Sequence, residues 1–244
     1  MNAKLSLILI ALVAAISSIA HAAGIGQFGV TAYGSFKRLS HTGDASGKVV
    51  LLSVPASPGV YGVGALADLR GEILIWDGKV FVTRGESITG SVEPSGPQDQ
   101  AALLVTGRVK GWHQAAAPHD MAQREFERFV IDTARKIGID ISKPFPFVAR
   151  GEVTNYLWHV VTGSSKHHGG ASQQQEGHAN NRTFSGANTV GVLVGFYSAE
   201  ELEGVISHPG ERFHIHYAGN DIKISGHLDQ FGVGKGLAVL LPQR

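Results

Sequence analysis

The chain has 244 residues, 43% hydrophobic and 17% charged, with 21 Lys+Arg against 20 Asp+Glu. That apolar content excludes intrinsic disorder, the 32 glycines follow no collagen period, and a net charge of +1 argues against nucleic acid as a partner. With no cysteine, a disulfide frame and a thiolate metal site are both excluded, so any metal must be held by His, Asp or Glu; the twelve histidines are the first chemical signal.

Lys4 supplies a positive charge, residues 5–15 form an almost unbroken apolar run, and Ala20-His21-Ala22 has the pattern that a signal peptidase cuts after. The run is too short to span a bilayer with margin and no stop-transfer charges follow it, so residues 1–22 read as a secretory signal. The mature chain is then expected to start near Ala23, to keep about 222 residues, and to be secreted or periplasmic without stable membrane association.

Residues 48–54 are an apolar run ended by Pro55-Ala56-Ser57-Pro58-Gly59. Residues 71–82 hold two β-rich runs around Asp77-Gly78, the strongest short hairpin signal. Residues 103–109 predict another strand. Over residues 120–138, Phe126, Phe129, Val130, Ala134 and Ile137 fall at helical spacing with Gly138 as a stop, which predicts an amphipathic helix. Pro144 and Pro146 introduce one or two strands over residues 147–161. Residues 164–188 are rich in Gly, Ser, Gln, Asn and His and predict a long solvated loop, in which His167, His168 and His178 form either a lid over the site, a metal-capturing tract, or nothing more than loop. A strand is expected over residues 190–197, then a short helix opened by Ser198-Ala199-Glu200-Glu201 and ended before Pro209. Residues 212–217 and 222–230 pair as a second hairpin, and residues 237–241 form a last strand. His41, His113, His119 and His208 have no evident partner, His113 and His119 reading as turn residues. A mixed α+β fold dominated by antiparallel strands follows. Two sheet-based lobes are expected, an N-terminal one over about residues 23–143 and a C-terminal, metal-binding one over about 144–244.

In Phe213-His214-Ile215-His216-Tyr217, the two imidazoles sit two residues apart and therefore share one face of a strand. His227 follows on the partner strand, where a cross-strand neighbour sits within about 5 Å at Cβ. His214, His216 and His227 thus form a candidate metal cage with open positions. Zn, Mn, Fe and Ni all suit three imidazoles, and half-exposed histidines on a solvated sheet face are the alternative.

Gly71-Glu72 before an Asp-Gly hairpin, Val194-Gly195-Phe196, Gly219-Asn220-Asp221 before Lys223, and His-x-His with a third His after Ser225-Gly226 together resemble acetolactate decarboxylase. The resemblance implies a two-lobed, dimeric, zinc-dependent enzyme that takes the small molecule 2-acetolactate to acetoin and carbon dioxide, with His214, His216 and His227 holding the zinc. The cation would act as a Lewis acid on the hydroxyl and keto oxygens of the substrate. Glu72 matches the family carboxylate and is the catalytic candidate for proton handling; the alternative is an exposed hairpin glutamate. Where the family has an arginine for the substrate carboxylate, this chain has His159, which cannot make the bidentate contact of a guanidinium. His159 either donates one hydrogen bond or serves as a further ligand. The family's second, C-terminal glutamate has no match before Arg244. A non-catalytic periplasmic metal- or small-ligand-binding protein that keeps the cage is the alternative function; a cupin-like barrel fits less well, because its additional carboxylate and distant histidine are not matched.

Overall fold

The computed structural model describes residues 23–24, 27–164 and 179–243. The segment read as a signal, residues 1–22, and the loop histidines His167, His168 and His178 lie outside the described residues.

Among the described residues fifteen strands, all paired antiparallel, and two α-helices are found, the strands forming two sheets that divide the chain in order. The first sheet holds β1 (Ala23–Gly24), β2 (Thr31–Tyr33), β3 (Val49–Val50), β4 (Val60–Leu66), β5 (Gly71–Trp76), β6 (Lys79–Arg84), β7 (Val92–Pro94) and β8 (Gln100–Arg108). The second holds β9 (Trp112–Ala116), β10 (Met121–Ala122), β11 (Phe145–Ser164), β12 (Ala179–Tyr197), β13 (Phe213–Gly219), β14 (Ser225–Val233) and β15 (Ala238–Pro242). Two α-helices accompany them, α1 (Phe36–Thr42) and α2 (Gln123–Lys136). The fold is therefore α+β with two sheets dominated by antiparallel strands.

The β5–β6 hairpin turns at Asp77 (φ 47°) and Gly78 (φ 79°), the left-handed pair that a two-residue turn between twisted strands demands. In α2, Phe126, Val130 and Ala134 are fully buried, and the Phe126 ring meets Phe231 edge-on at 5.5 Å. The sheets pack through a shared aliphatic layer that includes Val63, Leu74 and Val105 from the first and Val148, Val194 and Phe196 from the second.

The second sheet closes on itself. β11 pairs with β12 along its length, β12 with β13, β13 with β14, and β14 returns to the distal half of β11. The β13–β14 contact is short, three residue pairs from Ala218–Ser225 to His216–His227, after which the strands separate and β14 follows β11 instead. This fork places the histidines.

Three local expectations differ from the structure. Residues 199–206 are turns, not a helix: the Ser198 hydroxyl donates to the Ala199 and Arg212 carbonyls instead of capping, and Ala199 (φ 53°) and Gly204 (φ 74°) leave helical space. Residues 179–188 belong to β12, held by the β11 ladder despite their polar composition. His113 lies on β9 opposite Leu241, not in a turn. Helix α1, not expected from the sequence, starts at Ser35, whose side chain accepts from the Arg38 N–H, and stops at Gly43 (φ 66°).

Candidate metal centre

His216 on β13 lies directly opposite His227 on β14, and His214 projects from the same face of β13 two residues away. One ring nitrogen from each falls within 4.8 Å of the others. His159 extends the row, because β11 pairs with β14 in a register that sets His159 opposite His227, with ring centroids 5.0 Å apart. Gly226 permits this close approach: a Cβ there would stand 2.3 Å from the His159 carbonyl oxygen.

His214 and His216 are 3% and 0% exposed, and His227 is half-buried. Nδ1 of His214 and both nitrogens of His216 have no hydrogen-bond partner. Buried nitrogens are rarely left this way, because an unpaired polar group in low dielectric costs on the order of 1–3 kcal/mol. Burial foremost, then the charge of neighbouring imidazoles, holds all three pKa values well below the ordinary range. Neutral imidazoles with lone pairs turned inward are the form that binds a divalent metal. Three imidazole nitrogens this close together would hold a divalent metal. The residues fit a metal: three neutral imidazoles side by side, two of them with buried nitrogens left unpartnered.

Glu72 enters from the first sheet. Gly71 (φ 147°) precedes it, in a conformation and a space closed to other residues, since a Cβ would lie 2.1 Å from the Thr83 carbonyl oxygen. Glu72 is 3% exposed; its Oε1 accepts from the Val161 N–H at 3.2 Å, and its Oε2 stands 3.6 Å from His216 Nε2. It is therefore not the exposed hairpin glutamate of the alternative reading. Its pKa is raised to about 7, first by burial and further by the Asp229 charge, against the lowering effect of His159 and the Val161 N–H.

Two groups next to the cage escaped the sequence reading. Asp229 accepts a hydrogen bond from His159 Nδ1, at 2.8 Å to Oδ1 and 2.9 Å to Oδ2. A register slip in the β11–β14 ladder sets Gln230 opposite Leu157 but Leu228 opposite Trp158, so Asp229 is the extra residue of a β-bulge, a device that re-aims side chains. The spacing His227-x-Asp229 repeats that of His214-x-His216 and was the one signal in the sequence. His208 packs tilted against Phe36 of α1, ring centroids 4.2 Å apart, and meets His227 edge-on at 5.6 Å. Burial chiefly lowers its pKa. For His159 burial is also the largest effect and lowers the pKa, but the Asp229 hydrogen bond and the Glu72 and Asp229 charges together outweigh it, and the net shift is upward.

A cavity of about 450 Å³ opens onto the centre, with Glu72, His159, His208, His214 and His227 on its polar side and Leu69, Leu103 and Val161 among its apolar walls. Phe36, Leu39 and Ser40 of α1 cover it. No Lys or Arg of the described residues lines it. Arg150 does not stand in for the missing guanidinium; it is bound instead to Asn220 at 2.8–3.2 Å.

A two-sheet antiparallel fold with a largely buried three-imidazole cage, a carboxylate beside it and an adjoining cavity defines a candidate metalloenzyme centre. The profile of the alpha-acetolactate decarboxylase family matches residues 42–241, and the chain belongs to that family. Among curated proteins, none matches the sequence. Among solved structures the chain is similar to alpha-acetolactate decarboxylase from Bacillus subtilis strain 168, with 15% identity, a TM-score of 0.68, and 87% of this chain and 85% of that one covered. It is similar to acetolactate decarboxylase from Bacillus subtilis subspecies spizizenii at 17% identity and a TM-score of 0.67, over the same shares. A Staphylococcus aureus protein of unknown function, described as similar to alpha-acetolactate decarboxylase, is alike at 14% identity and a TM-score of 0.65, again over 87% and 85%. At these identities the likeness establishes the fold.

Proposed function

We propose that the protein is a zinc-dependent carboxy-lyase that converts 2-acetolactate, or a related 2-hydroxy-3-keto acid, to acetoin and carbon dioxide. The observation that carries this reading is the buried cage of His214, His216 and His227, with unpartnered nitrogens, beside the buried Glu72. Family membership supports the same reaction class. A bound cation would supply Lewis acidity toward the oxygens of a hydroxy-ketone and an electron sink as carbon dioxide leaves.

The chain's own groups do the rest. Leu69, Leu103 and Val161 line the cavity as apolar walls, which would weaken the solvation of a bound carboxylate relative to neutral carbon dioxide. Glu72, with Oε1 tied to the Val161 N–H and Oε2 beside the cage, is placed to hold a proton and pass it to the carbon that lost the carboxylate. One proton is consumed per turnover, so the acid must be recharged from water. His159 lines the cavity from the β11 side, where it would meet a bound substrate.

The reading extends to a homodimer as the working unit, implied by the resemblance, and to export of a mature chain from about Ala23. The apolar run followed by Ala20-His21-Ala22 supports export. The absence of a described Lys or Arg from the cavity favours one competing reading, a non-catalytic protein that binds metal or a small ligand. Purified mature protein, assayed for bound metal and for acetoin released from racemic acetolactate, separates the two. One equivalent of metal with acetoin and carbon dioxide in equal amounts is the expected result. Metal at one equivalent without acetoin supports the binding protein.

A further inference from the structure

The mode of attachment of His159 bears on which part of a ligand it meets. Both of its hydrogen bonds run through Nδ1 to the two oxygens of Asp229. A carboxylate only accepts, so Nδ1 is the donor, and a neutral imidazole whose Nδ1 carries the hydrogen presents a bare lone pair at Nε2. The ring lines the 450 Å³ cavity while Asp229 does not, so the edge of the ring turned away from Asp229 faces the ligand. Asp229 instead lines a separate polar cavity of about 620 Å³ that fills the fork between β13 and β14, and its side chain is 29% exposed there. The bulge is what turns Asp229 toward Nδ1.

We propose that Asp229 is a positioning residue that fixes His159 in the Nδ1–H form, so that Nε2 accepts the hydroxyl hydrogen of a 2-hydroxy acid instead of contacting its carboxylate. This rests on the reading of the cavity as a hydroxy-acid site. The family's arginine position thereby acquires a different role in this chain, selection for a hydroxyl on the carbon next to the carboxylate. A 2-hydroxy acid then loses its advantage over the matching deoxy acid when the carboxylate on Nδ1 is removed, as an unmatched acceptor rejects a ligand that cannot donate.

The test uses zinc-loaded mature protein labelled with 15N-histidine. Long-range 1H–15N correlation at pH 7.5, with His159 assigned by its disappearance in His159→Asn, is expected to show the Nδ1–H tautomer in the wild type. In Asp229→Asn the signal should move wholly or partly to the Nε2–H form with one zinc per chain retained. An Nε2–H or doubly protonated ring in the wild type, an unchanged ring in Asp229→Asn, or loss of zinc in that variant overturns the proposal. This arm is independent of turnover, so a protein with the expected tautomer that releases no acetoin fails as a decarboxylase while the assignment holds. The second arm measures binding of 2-hydroxy-2-methylpropanoate and 2-methylpropanoate by calorimetry. The preference for the hydroxy acid should fall by roughly three- to tenfold in Asp229→Asn while the affinity for the deoxy acid stays within about twofold. An unchanged preference, a parallel loss of both acids, or a wild type that binds neither overturns the hydroxyl role.

Discussion

The two sheets are built alike and used differently. In the first, every residue of β4 is buried, the aliphatic side chains of β5 and β8 pack around it, and Glu72 is the one buried charged residue of the described chain. In the second, the interior is interrupted by a row of imidazoles across three neighbouring strands, His159 on β11, His227 on β14 and His216 on β13, with His214 beside them. The charge that the first sheet carries finds a partner across the sheets in the Val161 N–H of β11, whereas His216 in the second has no hydrogen-bond partner. Several orphaned nitrogens clustered on adjacent imidazoles are costly to bury without a ligand, so the comparison teaches where function was written over packing. The closed strand ring and the β13–β14 fork provide the room; the first sheet supplies a lid, a wall and one carboxylate.

The contrast is broken most completely by removing an imidazole. His216→Ala should reduce bound metal from one equivalent to none, read by elemental analysis after gel filtration; full retention would mean that the cage is elsewhere. Next in size, Glu72→Gln should keep the metal and lower turnover by about 10²–10⁴-fold, the usual worth of a positioned acid or base, as read in initial rates of acetoin release. The same substitution should stabilise the metal-free protein at pH 8 by up to about 3 kcal/mol, because a carboxyl pushed up to about 7 from 4.5 is buried as an anion there.

Ordinary packing predicts a comparable loss far from the chemistry. Phe126→Ala, which empties the space between α2 and the rings of Phe147 and Phe231, should cost about 3–5 kcal/mol in urea unfolding and leave metal content unchanged. The pH dependence of the metal-free protein sharpens the difference between the sheets. The three cage histidines titrate below their unfolded value of 6.5, so their contribution is present above pH 6.5 and is lost as pH falls below it, by as much as about 1.4 kcal/mol per pH unit for each group. Glu72 has the opposite sign: its raised pKa contributes stability below 4.5 that is lost as pH rises through about 7. With four lowered histidines, His208 among them, against the raised Glu72 and His159, thermal stability should drop on acidification from pH 7 to 5, and added zinc should raise it at pH 7. The smallest effect belongs to the surface: Lys143→Ala, which breaks an exposed pair with Glu201 at 2.9 Å, should leave the urea-unfolding midpoint essentially unchanged.

Much of the cage was legible before the fold. His214 and His216 share a face because side chains alternate along any strand, and His227 meets them because a hairpin with a Gly219-Asn220-Asp221 turn has few registers. Helix α2 and the β5–β6 hairpin were likewise readable from spacing and from Asp77-Gly78. Helix α1 was missed although Ser35 and Gly43 cap it, because seven residues with no buried side chain carry too little apolar periodicity. The polar residues 179–188 looked like loop because composition cannot register a ladder supplied by β11.

Local pattern therefore determined the elements that depend on near neighbours: alternation along β13, the two turns, the apolar stripe of α2. Tertiary structure alone decided what depends on distant segments meeting: how deep Glu72 lies, that His208 and α1 close the cavity, and that a one-residue bulge sets Asp229 against His159. The reason is range. Backbone geometry propagates side-chain direction over a few residues, while burial, desolvation and the pairing of groups 70 residues apart exist only once the chain has packed.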